Sequence, residues 1–235
     1  MSTMIERTPP LMRGPTVHVR AHATLDRLLL ACGVIYALVY AVANDVVAAG
    51  LYDGYSRMSR AVSELSARGA PSTWFLTAML PLHMSLLGGF GIGVWRSAGA
   101  HRALRVAGAV VVVHAATAAL WLLAPMSRRE NIAAGAGGVN DTMHIVLTAV
   151  TGLLIVGYVG FAAAALGWRF RLYSILTVST MLAAGAWTGA ESANLSSGGP
   201  TPWLGFAERI SMVAWLVWLV VLAVALLRRG PSAPR

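Results

Sequence analysis

The sequence has few charges, no lysine and a single cysteine. Only 11% of its 235 residues are charged and 57% are hydrophobic, with a mean hydropathy of +0.67. A soluble domain of this length carries more charge. Because Cys32 is the only cysteine, an intrachain disulfide and a thiol cluster are excluded. The chain contains neither an HExxH nor a GxSxG motif, so it carries no signature of a zincin or an α/β-hydrolase.

All 18 basic residues are arginines, and the formal net charge is +9. A nucleic-acid-binding protein concentrates such charge in a patch, whereas these arginines sit in short gaps between apolar runs. The preference of arginine for the cytoplasmic loops of membrane proteins explains this pattern. We therefore expect the bilayer, and no nucleic acid, as the partner of this chain.

Six apolar runs are long enough to cross a bilayer core as helices. We predict an all-α polytopic membrane protein with six transmembrane helices in one bundle, between a polar tail over 1–24 and a short tail over 229–235. The predicted spans are 28–50, 72–95, 106–126, 142–168, 172–190 and 210–227.

The arginines are divided unequally between the two sides of this topology. The side with both tails and the loops 96–105 and 168–171 holds twelve of the eighteen arginines and two of the nine acids, Glu6 and Asp26. By the positive-inside rule this side is cytoplasmic, which predicts a multi-pass plasma-membrane protein with both termini in the cytoplasm. The remaining seven acids gather at the outer ends of the spans.

A short amphipathic helix is predicted within the loop 51–71. Arg60, Glu64 and Arg68 recur every four residues, and Gly69 and Pro71 follow as terminators. Such a helix, over about 55–68, fits either the membrane interface or a lid over a cavity. Its apolar face consists of Met58, Ala61, Val62 and Leu65.

The fourth span begins with a polar stripe. Asp141, His144, Thr148 and Thr151 are spaced three, four and three, which places them on one helical face. A polar stripe should face other helices or a wet cavity, because unpaired polar groups in hydrocarbon are costly. Alternatively, Asp141 only caps the helix and the threonines bond to their own backbone.

A candidate outer site follows from the acids at the ends of the spans. Burial there would bring carboxyl and imidazole pKa values towards neutrality, which suits proton transfer. We predict Asp141, His144 and Glu64 as catalytic residues and no resident metal; a set of ion pairs and helix caps is the alternative. The predicted substrate-binding residues are Asn44, Asp45, Trp187, Glu191 and Arg209.

Two histidines lie deep within predicted spans. Counted from the outer ends, His83 and His114 lie ~16 Å and ~18 Å deep, at depths where neighbouring helices would bring them together. Two imidazoles can ligate a haem or another metal between helices. The alternative is a hydrogen bond from each to a neighbour such as Thr117 or a carbonyl.

Aromatic residues in an apolar bundle below an acidic mouth favour a hydrophobic ligand. We expect an outward-facing polar pocket between spans one, four and five that binds or processes a lipid-like or isoprenoid-like molecule. A structural or accessory subunit without chemistry, and small-solute transport, are the alternatives, and the sequence names no cofactor. The aromatic walls of this pocket would be Tyr36, Tyr40, Trp121 and Trp187.

Three segments together resemble a known family. They are the run 63–71 with its Ser-Glu-Leu signature, His144 in the fourth span, and the run 205–209 before a Trp-rich last span. The chain resembles, over about 25–228, the bacterial six-helix membrane proteins of domain of unknown function family 998. The resemblance implies a six-span helical bundle and no particular activity, and it rests on Glu64, His144 and Arg209. Glu208 stands where that family more often has glutamine.

The predicted orientation can be tested with reporter fusions. A fluorescent protein that folds only in the cytoplasm should be active when it is inserted in the loop 96–105 and inactive in the loop 51–71, because twelve arginines hold the first loop inside. Alkaline phosphatase at the same positions should give the opposite pattern. Phosphatase activity at 96–105 would contradict the orientation.

Overall fold

A computed structural model describes residues 16–229, with side chains over 23–229, and this part of the chain forms helices and no strand. A π-helical segment, Val42–Ala48, extends the first helix, Thr16–Ala41. A 3₁₀ turn, Ala118–Leu122, extends the helix Arg102–Thr117, and a second 3₁₀ turn covers Ser63–Ser66. The first fifteen residues of the predicted tail lie outside the described residues. The helices are α1 (Thr16–Ala41), α2 (Thr73–Arg96), α3 (Arg102–Thr117), α4 (Arg129–Ala133), α5 (Val139–Ala165), α6 (Trp168–Ser196) and α7 (Leu204–Arg229).

Five helices of the described chain are long and apolar enough to cross a membrane, which confirms the all-α polytopic membrane bundle. They are Ala23–Ala48, Thr73–Arg96, Arg102–Leu122, Val139–Ala165 and Leu204–Arg229.

The predicted span 172–190 lies within α6, which is not among these five. Nevertheless α6 has 29 residues and is as long as its neighbours. Because α5 and α7 both begin at the same end of the bundle, α6 carries the chain back along the full length of the bundle. A sixth crossing stays a prediction.

The six long helices pack in a closed ring. Each contacts its predecessor, and α7 packs against both α6 and α1. At one end of the ring the connecting segments fold over the helix ends, and we call the segments 51–72, 123–138 and 197–203 the polar cap. At the opposite end, Arg96 of α2 pairs with Asp26 of α1.

Glycines of α2 allow close packing on both sides. A Cβ at Gly93 would lie 2.9 Å from the backbone of Leu29 in α1. A Cβ at Gly91 would lie 2.9 Å from the Gly108 carbonyl oxygen, and one at Gly108 only 2.5 Å from the Trp95 nitrogen. Helices in lipid gain nothing from the hydrophobic effect when they associate, so they depend on close packing. Small residues permit that packing because they let the two backbones approach each other. The run of glycines therefore determines how tightly α2 packs between α1 and α3.

The bundle interior is centred on the tryptophans of α7. Eleven residues of this helix are buried, among them Trp215 and Trp218. The Trp218 indole donates a hydrogen bond to the Ser174 hydroxyl on α6 at 2.9 Å, and the Trp215 indole donates to the Tyr158 hydroxyl on α5. Each indole N–H thus finds a partner within the protein, as burial in an apolar setting requires.

The predicted amphipathic helix over 55–68 is wrong in extent, because only Ser63–Ser66 forms a helical turn. Side-chain contacts prevail over the helical pattern here. The Tyr55 hydroxyl is hydrogen-bonded to the backbone carbonyls of residues 60 and 61, and the Glu64 side chain is buried. The gap between the predicted spans 106–126 and 142–168 contains a short helix, α4. Part of the predicted tail is also helical, because α1 begins at Thr16.

Replacing Gly108 by alanine should destabilise the bundle by about 1–3 kcal/mol, because the added methyl overpacks the α2–α3 contact. Gly157 on α5 is a matched control: no atom lies within 4 Å of its built Cβ, so Gly157→Ala should be neutral or stabilising by up to about 1 kcal/mol. Thermal unfolding in detergent measures both. Equal melting temperatures for the two variants would contradict the close approach.

Candidate functional site

Glu64 is the most deeply buried acid of the polar cap, with 2% of its surface exposed. Its Oε1 accepts hydrogen bonds from the Ala61 backbone N–H at 2.9 Å and from Arg129 at 2.7 Å, and its Oε2 accepts from Arg129 Nε at 3.1 Å. The Arg129 guanidinium thus binds both carboxylate oxygens, which is the strongest geometry of an arginine–carboxylate pair. A second guanidinium, that of Arg60, lies 3.7 Å from Oε2.

Arg129 connects three segments of the polar cap. Besides Glu64, it donates to the Ser59 carbonyl at 2.8 Å and to the Thr201 hydroxyl at 2.9 Å. The hydrogen bonds with Glu64 raise the pKa of Arg129 above its usual value. The sequence pattern does not indicate this role, because residues 64 and 129 are 65 positions apart in the chain. Three consecutive charged residues in a Gly/Ala-rich loop were the available signal.

A second ion pair joins Asp45, at the end of the first span, to Arg209 of α7. Arg209 Nε donates to Asp45 Oδ1 at 2.7 Å, and its terminal nitrogens donate to the Arg57 carbonyl at 2.9 Å and to the Tyr55 hydroxyl at 3.0 Å. Tyr55 in turn donates to the Ala61 carbonyl at 2.8 Å. Burial raises the pKa of Tyr55 to about 12, so this hydroxyl keeps its proton at neutral pH.

The first turns of α7 are hydrogen-bonded to the segment 51–72 that follows the first span. The Phe206 N–H donates to the Met58 carbonyl at 3.0 Å. The Glu208 carboxylate accepts from the Val62 N–H. A Cβ at Gly205 would lie 2.0 Å from the Arg60 carbonyl oxygen, so only glycine fits there. The run 205–209, which carries part of the family resemblance, is therefore packed against residues 58–62, directly before the run 63–71.

Asp141 caps the start of α5 and also connects it to Ser127, in the segment before α4. Its carboxylate accepts hydrogen bonds from the Ser127 backbone N–H at 2.6 Å, the Ser127 hydroxyl at 2.8 Å and the Gly138 N–H at 2.9 Å. His144 Nδ1 lies 3.0 Å from the Ala124 carbonyl oxygen, and its ring lies 4.9 Å from that of Trp121. Both side chains attach the segment before α4 to the start of α5, as the capping interpretation expects.

The remaining predicted site residues lie elsewhere. Glu191 accepts from the Trp203 N–H at 3.2 Å, and the Trp187 ring lies 6.5 Å from that of Trp203. Asn44 donates to the carbonyl of Tyr40 in its own helix at 2.9 Å. The structure thus brings Asp45, Glu64 and Arg209 into one network. It places Asp141 with His144 in a second group and Glu191 in a third.

The predicted aromatic walls do not surround one pocket. Tyr36 and Tyr40 pack in the bundle interior, each 5.8 Å from the ring of Trp215, whereas Trp121 lies beside His144 and Trp187 lies near Trp203. Helix α1, the first span, packs against α2 and α7 rather than between α5 and α6. The expected pocket between spans one, four and five is therefore not formed by these residues.

Two open spaces lie between helices instead. A groove of about 340 Å³ separates α1 from α2, and a hollow of about 240 Å³ separates α5 from α6. In the described residues, no three His, Cys, Asp or Glu side chains come together as a metal site. The groove is lined by Leu38, Val39, Val42, Ala43, Val47, Phe75 and Met79.

His83 and His114 are both buried but do not face each other as the two axial ligands of a haem would. The His83 ring contacts Tyr40 at 5.4 Å, and the His114 ring contacts Trp215 at 5.6 Å. Tyr40 and Trp215 also contact each other, so a continuous series of rings lies between the two imidazoles. The arrangement does not favour a haem held between them.

A model of a protein family of unknown function, DUF998, matches residues 10–225. The chain belongs to the DUF998 family. No curated protein and no solved structure matches it. The match shows the family of this DUF998 protein and assigns it no function.

Removal of Arg129 should unfold the polar cap of this DUF998 protein. Arg129→Ala leaves the buried Glu64 carboxylate without its main partner, and loss of one member of a buried pair costs about 3–5 kcal/mol. Arg128→Ala is the control, since Arg128 is 44% exposed and lies 3.5 Å from an exposed Glu130 carboxylate. That variant should change stability by less than about 1 kcal/mol in thermal unfolding. Equal losses in both variants would contradict the structural role of the Glu64–Arg129 pair.

Proposed function

We propose that this DUF998 protein binds a lipid-like or isoprenoid-like molecule in the groove between α1 and α2. The supporting observation is the groove itself: its volume of about 340 Å³ is within the range of small-molecule sites, and all seven of its lining side chains are apolar. Leu38 and Val42 are 63% and 51% exposed, so the groove is open to the surface that faces lipid.

Backbone irregularities on both walls support this choice. Val42–Ala48 is π-helical, and single π turns inside helices occur frequently at functional sites. On the other wall, α2 carries Pro81 in its interior, where the ring removes one backbone hydrogen bond. Irregular backbone at membrane depth is tolerated where it borders a cavity or another part of the protein.

The polar cap would serve as the rigid roof of this groove. The Asp45–Arg209 pair at 2.7 Å holds the π-helical segment against α7, and Arg57 donates to the Asp45 carbonyl. We place the cap on the outer side of the plasma membrane, because the arginine-rich loops lie at the opposite end. On this topology the ligand enters from the outer leaflet.

A structural or accessory role is the second candidate function. It is favoured because carboxylates in and beside the polar cap are hydrogen-bonded to other groups of the protein. Three acids of the cap region show this. Glu64 accepts from Arg129, Asp45 accepts from Arg209, and Asp141 accepts from the Ser127 backbone N–H. Carboxylates held in this way stabilise helix ends without performing chemistry. We therefore assign them no catalytic step, and the groove carries the proposal.

A tryptophan that fills the groove should remove the ligand. Val42→Trp places a large ring where the molecule would lie, so native mass spectrometry of the purified protein should show loss of a co-purified lipid-like species. Ile175→Trp is the matched control, because Ile175 is 56% exposed and lines the α5–α6 hollow. It should retain the species. Retention by both variants, or loss from both, would contradict binding between α1 and α2.

A further inference from the structure

The hollow between α5 and α6 lies near the end of the bundle opposite the polar cap. At that end α5 finishes at Ala165 and α6 begins at Trp168, so a two-residue turn joins the two helices. The lining of the hollow includes Ala163 of α5 and Ser174 of α6. Ser174 is six residues into α6, which places it ~9 Å along the helix axis from Trp168. The hollow is therefore close to one surface of the membrane.

Packing between α5 and α6 leaves this hollow open. A Cβ at Gly160, which lines it, would meet no atom within 4 Å, whereas a Cβ at Gly91 of α2 would lie 2.9 Å from the neighbouring helix. Ile175 is 56% exposed, so the hollow opens towards the lipid. Its volume of about 240 Å³ is below the range of about 300–1,000 Å³ for sites that enclose a whole small molecule. A hydrocarbon chain that enters it over part of its length fits this shape.

Arg171 lies on the surface beside the hollow rather than in its lining. It precedes Ser174 by three residues and Ile175 by four, so it shares their helical face about one turn nearer the start of α6. Its side chain is exposed, as is that of Arg169. Among residues 23–229, neither arginine forms an ion pair with a carboxylate. Two guanidinium groups are thus free to bind an anion next to an apolar hollow.

Trp168 marks the level of the lipid headgroups. Its side chain is 69% exposed, and the Arg169 guanidinium lies 5.7 Å from the centre of its ring. Exposed tryptophans are enriched where hydrocarbon meets water. Arg171 is three residues further along α6, ~5 Å deeper, and a long arginine side chain extends from such a depth to the headgroup phosphates. A phosphate at Arg171 and a chain in the hollow can therefore belong to one molecule.

The charges at this end of the bundle select the headgroup. Among the described residues, the one carboxylate here is that of Asp26, which is ion-paired with Arg96. An ammonium headgroup therefore finds no free carboxylate in this part of the chain. A phosphate with no compensating positive charge finds Arg169 and Arg171, and arginines at a membrane surface attract anionic lipids.

We propose that the α5–α6 hollow is a site for an anionic glycerophospholipid. One acyl chain lies in the hollow against Gly160 and Ile175, and the headgroup phosphate accepts hydrogen bonds from Arg171, with Arg169 beside it. On the predicted topology this lipid belongs to the inner leaflet. The inference goes beyond the proposed function and does not rest on it, because the groove between α1 and α2 belongs to another pair of helices.

Titration with dioleoyl phosphatidylglycerol tests the headgroup, with zwitterionic dioleoyl phosphatidylcholine for comparison. Native mass spectrometry of the purified protein in detergent micelles should show one saturable phosphatidylglycerol per chain, bound more tightly than phosphatidylcholine. Arg171→Gln removes one charge at the headgroup and should weaken phosphatidylglycerol binding about fivefold. Arg171→Lys keeps the charge and should retain most of the affinity. Arg27→Gln is the matched control, because it removes an exposed arginine at the same end of α1, which packs against α2 and α7.

Two tryptophan variants of α6 test the position of the chain. Ile175→Trp fills the hollow and should remove the saturable phosphatidylglycerol site. Leu176→Trp is the control, because Leu176 is 65% exposed and lies outside the lining, and this variant should bind like the wild-type protein. Val42→Trp should also leave phosphatidylglycerol binding intact. The species proposed for the α1–α2 groove is followed separately by its mass, so either site can fail without the other.

Equal affinity of the wild-type protein for the two phospholipids, with no effect of Arg171→Gln, would show ordinary bilayer contact and overturn the inference. Unchanged phosphatidylglycerol binding in Ile175→Trp would overturn it as well. A preference for phosphatidylglycerol that is weakened in Arg171→Gln and lost in Ile175→Trp, but kept in Arg27→Gln and Leu176→Trp, supports it.

Discussion

A polar group inside a bilayer has to find its hydrogen-bond partner within the protein, because hydrocarbon offers none. This constraint explains most of the architecture. Thr148, Thr177 and Thr188 donate to carbonyls of their own helices, Thr148 to that of His144 at 2.8 Å, whereas the buried Thr151 hydroxyl has no partner among the described residues. The two deepest indoles find a serine and a tyrosine on other helices. Groups that break the rule, above all His83, are therefore the most informative ones in the molecule.

The same constraint separates the polar cap from the bundle interior. Near the helix ends, where water is close, the chain can place a carboxylate such as Glu64 out of solvent as long as a guanidinium accompanies it. Arg60 and Arg129, from two different segments of the cap, accompany Glu64, and Arg209 in the first turns of α7 pairs with Asp45. The outcome is a layer of fixed charges over an interior in which the aromatic side chains are neutral. The cap is the part that holds the helix ends in place, and the groove is the site proposed for a ligand.

Features that depend on local sequence patterns were predictable, whereas features that depend on contacts between distant positions were not. The apolar runs and the arginine asymmetry are local properties, and they predicted the helical membrane bundle. The pairing of Glu64 with Arg129 joins positions 65 residues apart, and no periodicity relates them. The helix expected over 55–68 failed because Tyr55 and Glu64 form tertiary hydrogen bonds that a helical-wheel pattern does not contain. The glycines of α2 were visible as a run, but their contact surfaces depend on which helices pack beside them.

The clamp between the loop after α1 and the first turn of α7 has a consequence for biogenesis. During synthesis the loop around Arg60 leaves the ribosome long before Gly205 and Phe206 exist. Until the last helix enters the membrane, the first one has an uncovered flank and the loop carbonyls lack their donors. Arrival of the final segment therefore supplies at once the flank that α1 lacks and the donors that the loop carbonyls lack.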